Sequence, residues 1–214
     1  MLPEVARRRM VERQLRRRGV HDQRVLAAME RVPREQFVRD GDRERAYDDD
    51  PLPIGFGQTI SQPLMVALIC QEAAVHPGHR VLDVGAGSGY QAAVLAELGA
   101  EIHAVERIPE LAAFARQNLE RAGYADRVTV HVRDGTLGLP QHAPFDRIVV
   151  AAAAPRTPET LYSQLVPNGR LVVPVGPRND QRLEVIVASP EGAAVARTVP
   201  CRFVPLVGDE GFAA

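Results

Sequence analysis

Three short stretches of the chain carry groups that could bind and orient a charged ligand. The first is DVGAGSGY (83–90), where Gly85, Gly87 and Gly89 sit between an apolar run and a helical one, with Asp83 just ahead. Free backbone N–H groups at such a strand–turn–helix junction suit a polar or anionic ligand. The spacing is G-x-G-x-G, and Tyr90 stands where the dinucleotide G-x-G-x-x-G pattern needs a glycine for helix packing. That substitution argues against a nicotinamide dehydrogenase. The second signal is Glu106, 21 positions beyond Gly85 at the end of the next apolar run. An acid there can accept both hydroxyls of a ribose, the alternative being a surface pair with Arg107. The third is Asp134-Gly135, which closes another run and puts a carboxylate on the same rim. Ligands of open α/β sheets lie at the carboxyl ends of the strands, so the three signals converge on one crevice.

The stretch GQTISQP (57–63) holds two hydroxyls before a helical run. One reading makes Ser61 the helix N-cap, with Pro63 in the first turn. The other makes Thr59 and Ser61 donors that aim a carboxylate, and a helix N-terminus attracts a carboxylate in either case. No histidine sits in an evident partner position, so Ser61 is not read as a nucleophile. His21, His76, His79, His103, His131 and His142 are scattered and read as surface or satisfied residues, and no metal site is expected. VVAAAAPRTPE (149–159) offers only alanines before Pro155, with no side chain to hold an exocyclic base amine.

These residues need elements to position them. VLDV (81–84), EIHAV (101–105), VTVHV (128–132), RIVVA (147–151) and RLVVPV (170–175) have the continuous apolar texture of buried parallel strands. Helices are expected near 89–98, 109–122 and 158–166, and QPLMVALICQEAA (62–74) forms another. Alternation of strand and helix predicts an open, doubly wound, mostly parallel sheet. Residues 183–189 and about 193–204, with no helix between them, predict an antiparallel edge. Residues 3–38 read as helices, with Gly19 ending the first and Asp22 capping the second. Residues 39–61 show no period and read as a long functional loop. The expected organisation is one domain over 1–214: a helical extension and covering loop (1–61), a Rossmann-like core (62–179), and an antiparallel edge with tail (180–214).

Bulk properties narrow the classes. The chain has 214 residues, 45% apolar and 25% charged, with a net charge of −1, so no general attraction to nucleic acid or anionic membrane is expected. Eight arginines between Pro3 and Arg24 could contact phosphates, but no aromatics interleave with them and Asp48–Asp50 can neutralise the cluster. Two cysteines, no apolar run near the ~20 residues that span a bilayer, and no signal-like N-terminus predict a cytoplasmic protein. A monomer is expected.

The same segments resemble the protein-L-isoaspartate O-methyltransferase family. DVGAGSGY (83–90), ERIPELA (106–112), PLPIGFGQTISQP (51–63), PFDRIVVAAAAP (144–155), NGRLVVPVG (168–176) and RFVPL (202–206) carry the likeness in order, with MVERQLRRRG (10–19) and RVPREQFV (31–38) at the N-terminus. The glycine loop is common to many methyltransferases; the GQTIS segment with the RFVPL tail is specific. Ala86 and Asn168 depart from the pattern, away from the chemistry. The resemblance implies methyl transfer from S-adenosyl-L-methionine, leaving S-adenosyl-L-homocysteine, to the α-carboxylate of isoaspartyl residues in damaged proteins and peptides. It implies cofactor contacts from Gln58, Thr59, Ile60, Ser61, Asp83, Gly85, Gly87, Gly89, Glu106, Arg107, Asp134 and Gly135. It implies substrate contacts from Ile54, Gly55, Thr59, Ser61, Val204, Pro205 and Leu206, with Ser61 central to catalysis. A methyltransferase acting on a small molecule or RNA would share residues 80–135 and differ in the substrate loop.

Overall fold

A seven-stranded sheet carries the glycine loop, Glu106 and Asp134 on one edge of its strand ends. The structure, a computed structural model, describes residues 2–189 and 192–213. The strands are β3 (Arg80–Val84), β4 (Glu101–Glu106), β5 (Val128–Val132), β6 (Phe145–Val150), β7 (Leu165–Val175), β8 (Gln181–Ser189) and β9 (Gly192–Cys201), in spatial order β5-β4-β3-β6-β7-β8-β9. Pairing is parallel from β5 to β7 and antiparallel for β7–β8 and β8–β9. The order reverses between β3 and β6, the point where a crevice opens beyond the strand ends. The expected parallel sheet with an antiparallel edge is the one observed.

Alternate residues of the strands feed two cores. Val81, Ile102, Ala104, Val149 and Val172 face a cluster built with α1 (Pro3–Met10), α2 (Gln23–Arg31), α3 (Pro63–Ala73), α4 (Tyr90–Glu97) and α5 (Pro109–Arg121). Leu82, Val84, Val105, Ile148 and Leu171 face a smaller one, closed by Leu139, Phe145, Leu161 and Leu206. This second face is thinly covered. The β5–β6 connection contributes only two 3₁₀ turns, and α6 (Glu159–Tyr162) is a single turn where a helix over 158–166 was expected. The chain is already in β7 at Leu165.

Gly19 ends the first helical segment in the left-handed region, and Asp22 accepts from Arg24 N at 2.8 Å to cap α2, both as expected. The segment between is not one α-helix, because Val11–Leu15 forms a widened π turn. Residues 39–61 are not an open loop. They hold a 3₁₀ run (Asp40–Arg45) and a hairpin of β1 (Leu52–Gly55) and β2 (Gln58–Ile60). Phe56 (φ 54°) and Gly57 (φ 70°) form its two-residue turn, the geometry whose twist suits a hairpin. Ser61 is not the cap of α3. The cap residue is Gln62, since Pro63 takes the first helical position, and the Gln62 side chain instead donates to Asp49 O at 2.8 Å. Among the described residues, no helix is long and apolar enough to cross a membrane.

The third-glycine role falls to Gly89, one position earlier than the dinucleotide pattern. A Cβ there would lie 3.1 Å from Leu119 Cγ and 3.3 Å from Ala115 O on α5, at φ +87°. Gly85 has the same φ but only ordinary contact, 3.8 Å from Ala151 Cβ. Gly89→Ala should therefore lose roughly 1–3 kcal/mol more than Gly85→Ala in urea unfolding followed by circular dichroism. Equal losses would remove the packing role.

Candidate active site

The strand ends, the β1–β2 hairpin and the C-terminal tail enclose a narrow cleft. Its floor is the glycine loop, where Gly85 and Ala86 donate to Val105 O at 2.8 and 2.9 Å. Glu106 is buried and faces the loop. Its Oε2 accepts from Gly87 N and its Oε1 from Ile108 N, both at 3.0 Å. The carboxylate thus joins the glycine loop to the entry of α5, and each oxygen keeps a lone pair for a ligand. A surface pair with Arg107 is not formed; Arg107 is exposed on the cleft rim. Gly135 completes that rim, and a Cβ there would sit 2.7 Å from Val84 Cγ1, so only glycine allows the close approach.

From β2, Gln58, Thr59, Ile60 and Ser61 form the opposite wall. Thr59 and Ser61 also line a second cavity, of about 690 Å³, which shares Ala151 and Val204 with the cleft. Ser61 is placed by a residue the sequence did not single out. Arg34 is fully buried, donates from Nη2 to Ser61 O (2.9 Å) and from Nε to Ala46 O (2.7 Å), and lies over the Tyr90 ring. Burial lowers its pKa to about 10, so it stays charged at neutral pH. Among the described residues nothing hydrogen-bonds the Ser61 hydroxyl. Gln91, also unforeseen, lines the cleft and donates from Nε2 to Asp83 Oδ1 at 2.7 Å.

The tail docks on the alanines that close β6. Ala153 N donates to Val204 O (2.8 Å) and Leu206 N to Ala153 O (2.7 Å), which brings Val204, Pro205 and Leu206 to the cleft. The Leu206 N–H is thereby used, whereas the Val204 carbonyl keeps a second lone pair.

Five expected site residues stand elsewhere. Asp83 is fully buried beneath the loop. Gly89 is turned to α5. Ile54 is a core residue whose carbonyl accepts from Arg39 Nε at 2.9 Å, and a Cβ on Gly55 would meet Arg39 Nη2 at 2.8 Å. Asp134 is spent on structure: Oδ1 accepts from Thr136 N and Oγ1, each at 2.8 Å, and Oδ2 from Asp209 N at 2.9 Å. Its carboxylate latches the tail rather than facing the cleft.

The histidines are not all scattered. His103 (β4), His131 (β5) and His142 come together on the thinly covered sheet face. Val105 pairs with His131 and shares its face with His103, two residues before it. Burial, with the neighbouring imidazoles, holds His131 at a pKa of about 4, and burial lowers His103 likewise.

A cleft of this construction, with a hydroxyl-bearing hairpin and an alanine-docked tail, can be set against known proteins. The family model for protein-L-isoaspartate(D-aspartate) O-methyltransferase matches residues 6–211. The chain belongs to that family. A protein-L-isoaspartate O-methyltransferase of Hyperthermus butylicus is 55% identical, covering 97% of this chain and 90% of its own. That of Gloeobacter violaceus is 54% identical, covering 94% and 98%. A Plasmodium falciparum structure, described as a protein-L-isoaspartate O-methyltransferase in complex with S-adenosyl-L-homocysteine, superposes with a TM-score of 0.83 at 28% identity, covering 94% of this chain and 98% of that one. The likeness to the isoaspartyl methyltransferases thus spans the hairpin and tail as well as the sheet.

Asp83 makes the site's interior sensitive to pH. Burial pushes its carboxyl up to about 7, the Gln91 hydrogen bond pulls it back, and nearby Glu106 raises it again. The folded chain then holds the proton more tightly than the unfolded chain, whose carboxyl titrates near 3.8. Stability from this group is complete below that value and declines as pH rises toward 7. Asp83→Asn should gain on the wild type by about 2–3 kcal/mol between pH 5 and pH 8 in denaturant melts. A difference that stays flat would mean that Asp83 titrates alike in both states.

Proposed function

We infer that the chain is a protein-L-isoaspartate O-methyltransferase that transfers the methyl of S-adenosyl-L-methionine to the free α-carboxylate of L-isoaspartyl residues, acting as a single catalytic domain. The resulting ester closes to a succinimide without further catalysis, and hydrolysis returns part of it to normal aspartate. The observation that carries the reading is the pair of cavities sharing a wall at Thr59, Ser61, Ala151 and Val204. One side suits a nucleoside and the other is wide enough for a peptide segment.

The residues fit S-adenosyl-L-methionine: a backbone cradle that side chains would fill, a buried carboxylate with free lone pairs, and small apolar walls at Ala151 and Ala152. When bound, that cofactor supplies a methyl activated by its sulfonium. The acceptor carboxylate is ionised at neutral pH, so no general base is required. Transfer of that methyl to a carboxylate oxygen would exchange the carbon–sulfur bond for a carbon–oxygen bond, turning a cation and an anion into a neutral thioether and ester. Charge is lost along this path, so excluding water helps it, and Ile60, Val66, Val84 and Leu206 do so. In-line positioning can supply roughly 7–11 kcal/mol. Thr59 and Ser61 offer hydroxyl donors for that purpose. Val204 adds a backbone N–H that has no partner among the described residues. Arg34 holds Ser61 through its carbonyl, leaving the hydroxyl uncommitted. Isoaspartyl-containing proteins and peptides are the partners this chemistry requires.

Peptides identical except for Asp or isoAsp at one position, given with labelled S-adenosyl-L-methionine, should yield base-labile label on the isoAsp peptide alone. Ser61→Ala should lower kcat/KM by about tenfold or more with the melting temperature unchanged, because Gln62 holds the cap position. Label on both peptides or on neither, or a serine variant that loses stability and activity together, would overturn the reading.

A further inference from the structure

We propose that His103, His131 and His142 form a binding site for a divalent transition-metal ion of the zinc class, distinct from the methyl-transfer cleft. Each residue offers one ring nitrogen, and these three nitrogens lie within 4.8 Å of one another. His103 Nδ1 and His131 Nε2 are already 3.1 Å apart, close to the separation of two ligands on one tetrahedral ion with metal–nitrogen bonds of about 2.0–2.1 Å. The rings are brought together by the sheet itself, since His103 and His131 share a face of adjacent strands. His142 reaches over from the 3₁₀ turn Pro140–His142 that stands in for a crossover helix. A true helix in that connection would cover this face.

The surroundings are built as a ligand shell. The far nitrogen of His103, Nε2, is buried and lies 3.4 Å from Glu101 Oε1 without a well-directed hydrogen bond. A carboxylate behind a ligating imidazole fixes its tautomer and raises its basicity, which leaves Nδ1 as the donor toward the ion. Phe145 packs its ring against His103 at 5.9 Å and limits its rotation. Of the nearby guanidiniums, Arg116 Nη2 donates to Val130 O (2.6 Å) and Arg80 Nη1 reaches Pro144 O (3.5 Å), while Arg133, whose charge also acts on His131, is exposed just after β5. His131 and His142 are only partly buried, so an ion can enter and keep a water in the fourth position. Three imidazoles with no carboxylate in the ligand set select zinc, cobalt, nickel or copper over magnesium or calcium.

An ion here would pin β4 and β5 to the Pro140–His142 turn that precedes β6. The first of these ends at Glu106 and the second leads into Asp134-Gly135, so the ion would stabilise the frame of the cleft without touching it. Binding to the folded form alone raises stability with metal concentration.

The test uses the tag-free full chain, stripped with chelator, desalted, and titrated with zinc chloride by calorimetry and cobalt chloride by visible absorption. One equivalent should bind, cobalt should give the intense bands of a tetrahedral nitrogen site, and the melting temperature should rise with zinc. His142→Ala and His131→Asn should each weaken zinc about tenfold or more, with metal-free melting unchanged, while His76→Ala, outside the cluster, should bind as the wild type does. Absence of saturable binding in the wild type, or wild-type affinity in both cluster variants, overturns the proposal. Because the readout is metal affinity, its failure leaves the methyl-transfer reading untouched, and loss of isoAsp methylation would leave this one untouched.

Discussion

Glu106 places a negative charge inside the strand edge, and the shape of the cleft follows from how that charge is satisfied. Two backbone N–H groups from different segments, Gly87 and Ile108, meet its two oxygens. One belongs to the loop after β3 and the other opens α5, so this side chain, together with the Asn118 Nδ2 bond to Ser88 O (2.9 Å) and the packing of Gly89 on α5, sets the spacing of the two elements. A buried carboxylate left short of partners is costly, which makes the loop conformation and the charge mutually dependent. The glycines permit the turn; the carboxylate selects it.

The opposite wall has its own tether. Arg34 brings a buried cation to the carbonyls of Ala46 and Ser61, so the hairpin is held from within the N-terminal helical layer. The tail is held from outside. Asp134 accepts from Asp209 N, Thr136 Oγ1 accepts from Glu210 N at 3.2 Å, and the Glu210 carboxylate takes the Thr160 N–H at 3.1 Å. These bonds keep Val204–Leu206 against Ala153. The strand edge, the hairpin and the tail are thus three separately anchored pieces that meet around the cleft.

What could be read from the residues followed their physics. The five parallel strands were legible because burial on both faces leaves continuous apolar runs, and the rim position of Glu106 followed from strand length. The β1–β2 hairpin was hidden because its turn uses Phe56-Gly57 rather than an Asn-Gly pair, and Pro53 argues against a strand. The cap was misplaced by one residue because serine is the commoner cap, whereas Pro63 fixed the start. Asp134 looked like a ligand because its partner, Asp209, lies 75 positions away and no local pattern announces it. The histidine cluster was invisible for the same reason, since strand pairing joins His103 to His131 and the Pro140–His142 turn brings in the third. The family likeness implied a substrate contact for Ile54, which the structure buries in the core with its Cδ1 beside Gly87.

Glu106→Gln is the sharpest probe of the central interaction, because it keeps the volume and removes the charge while setting an NH₂ donor against one of the two backbone N–H groups. Calorimetry with S-adenosyl-L-homocysteine, at a temperature where both proteins are folded, should show binding weakened by about 10- to 150-fold, the equivalent of roughly 1.5–3 kcal/mol for a hydrogen bond to a charged group. An unchanged dissociation constant would show that the cleft neither takes its shape from this carboxylate nor uses it to hold the nucleoside.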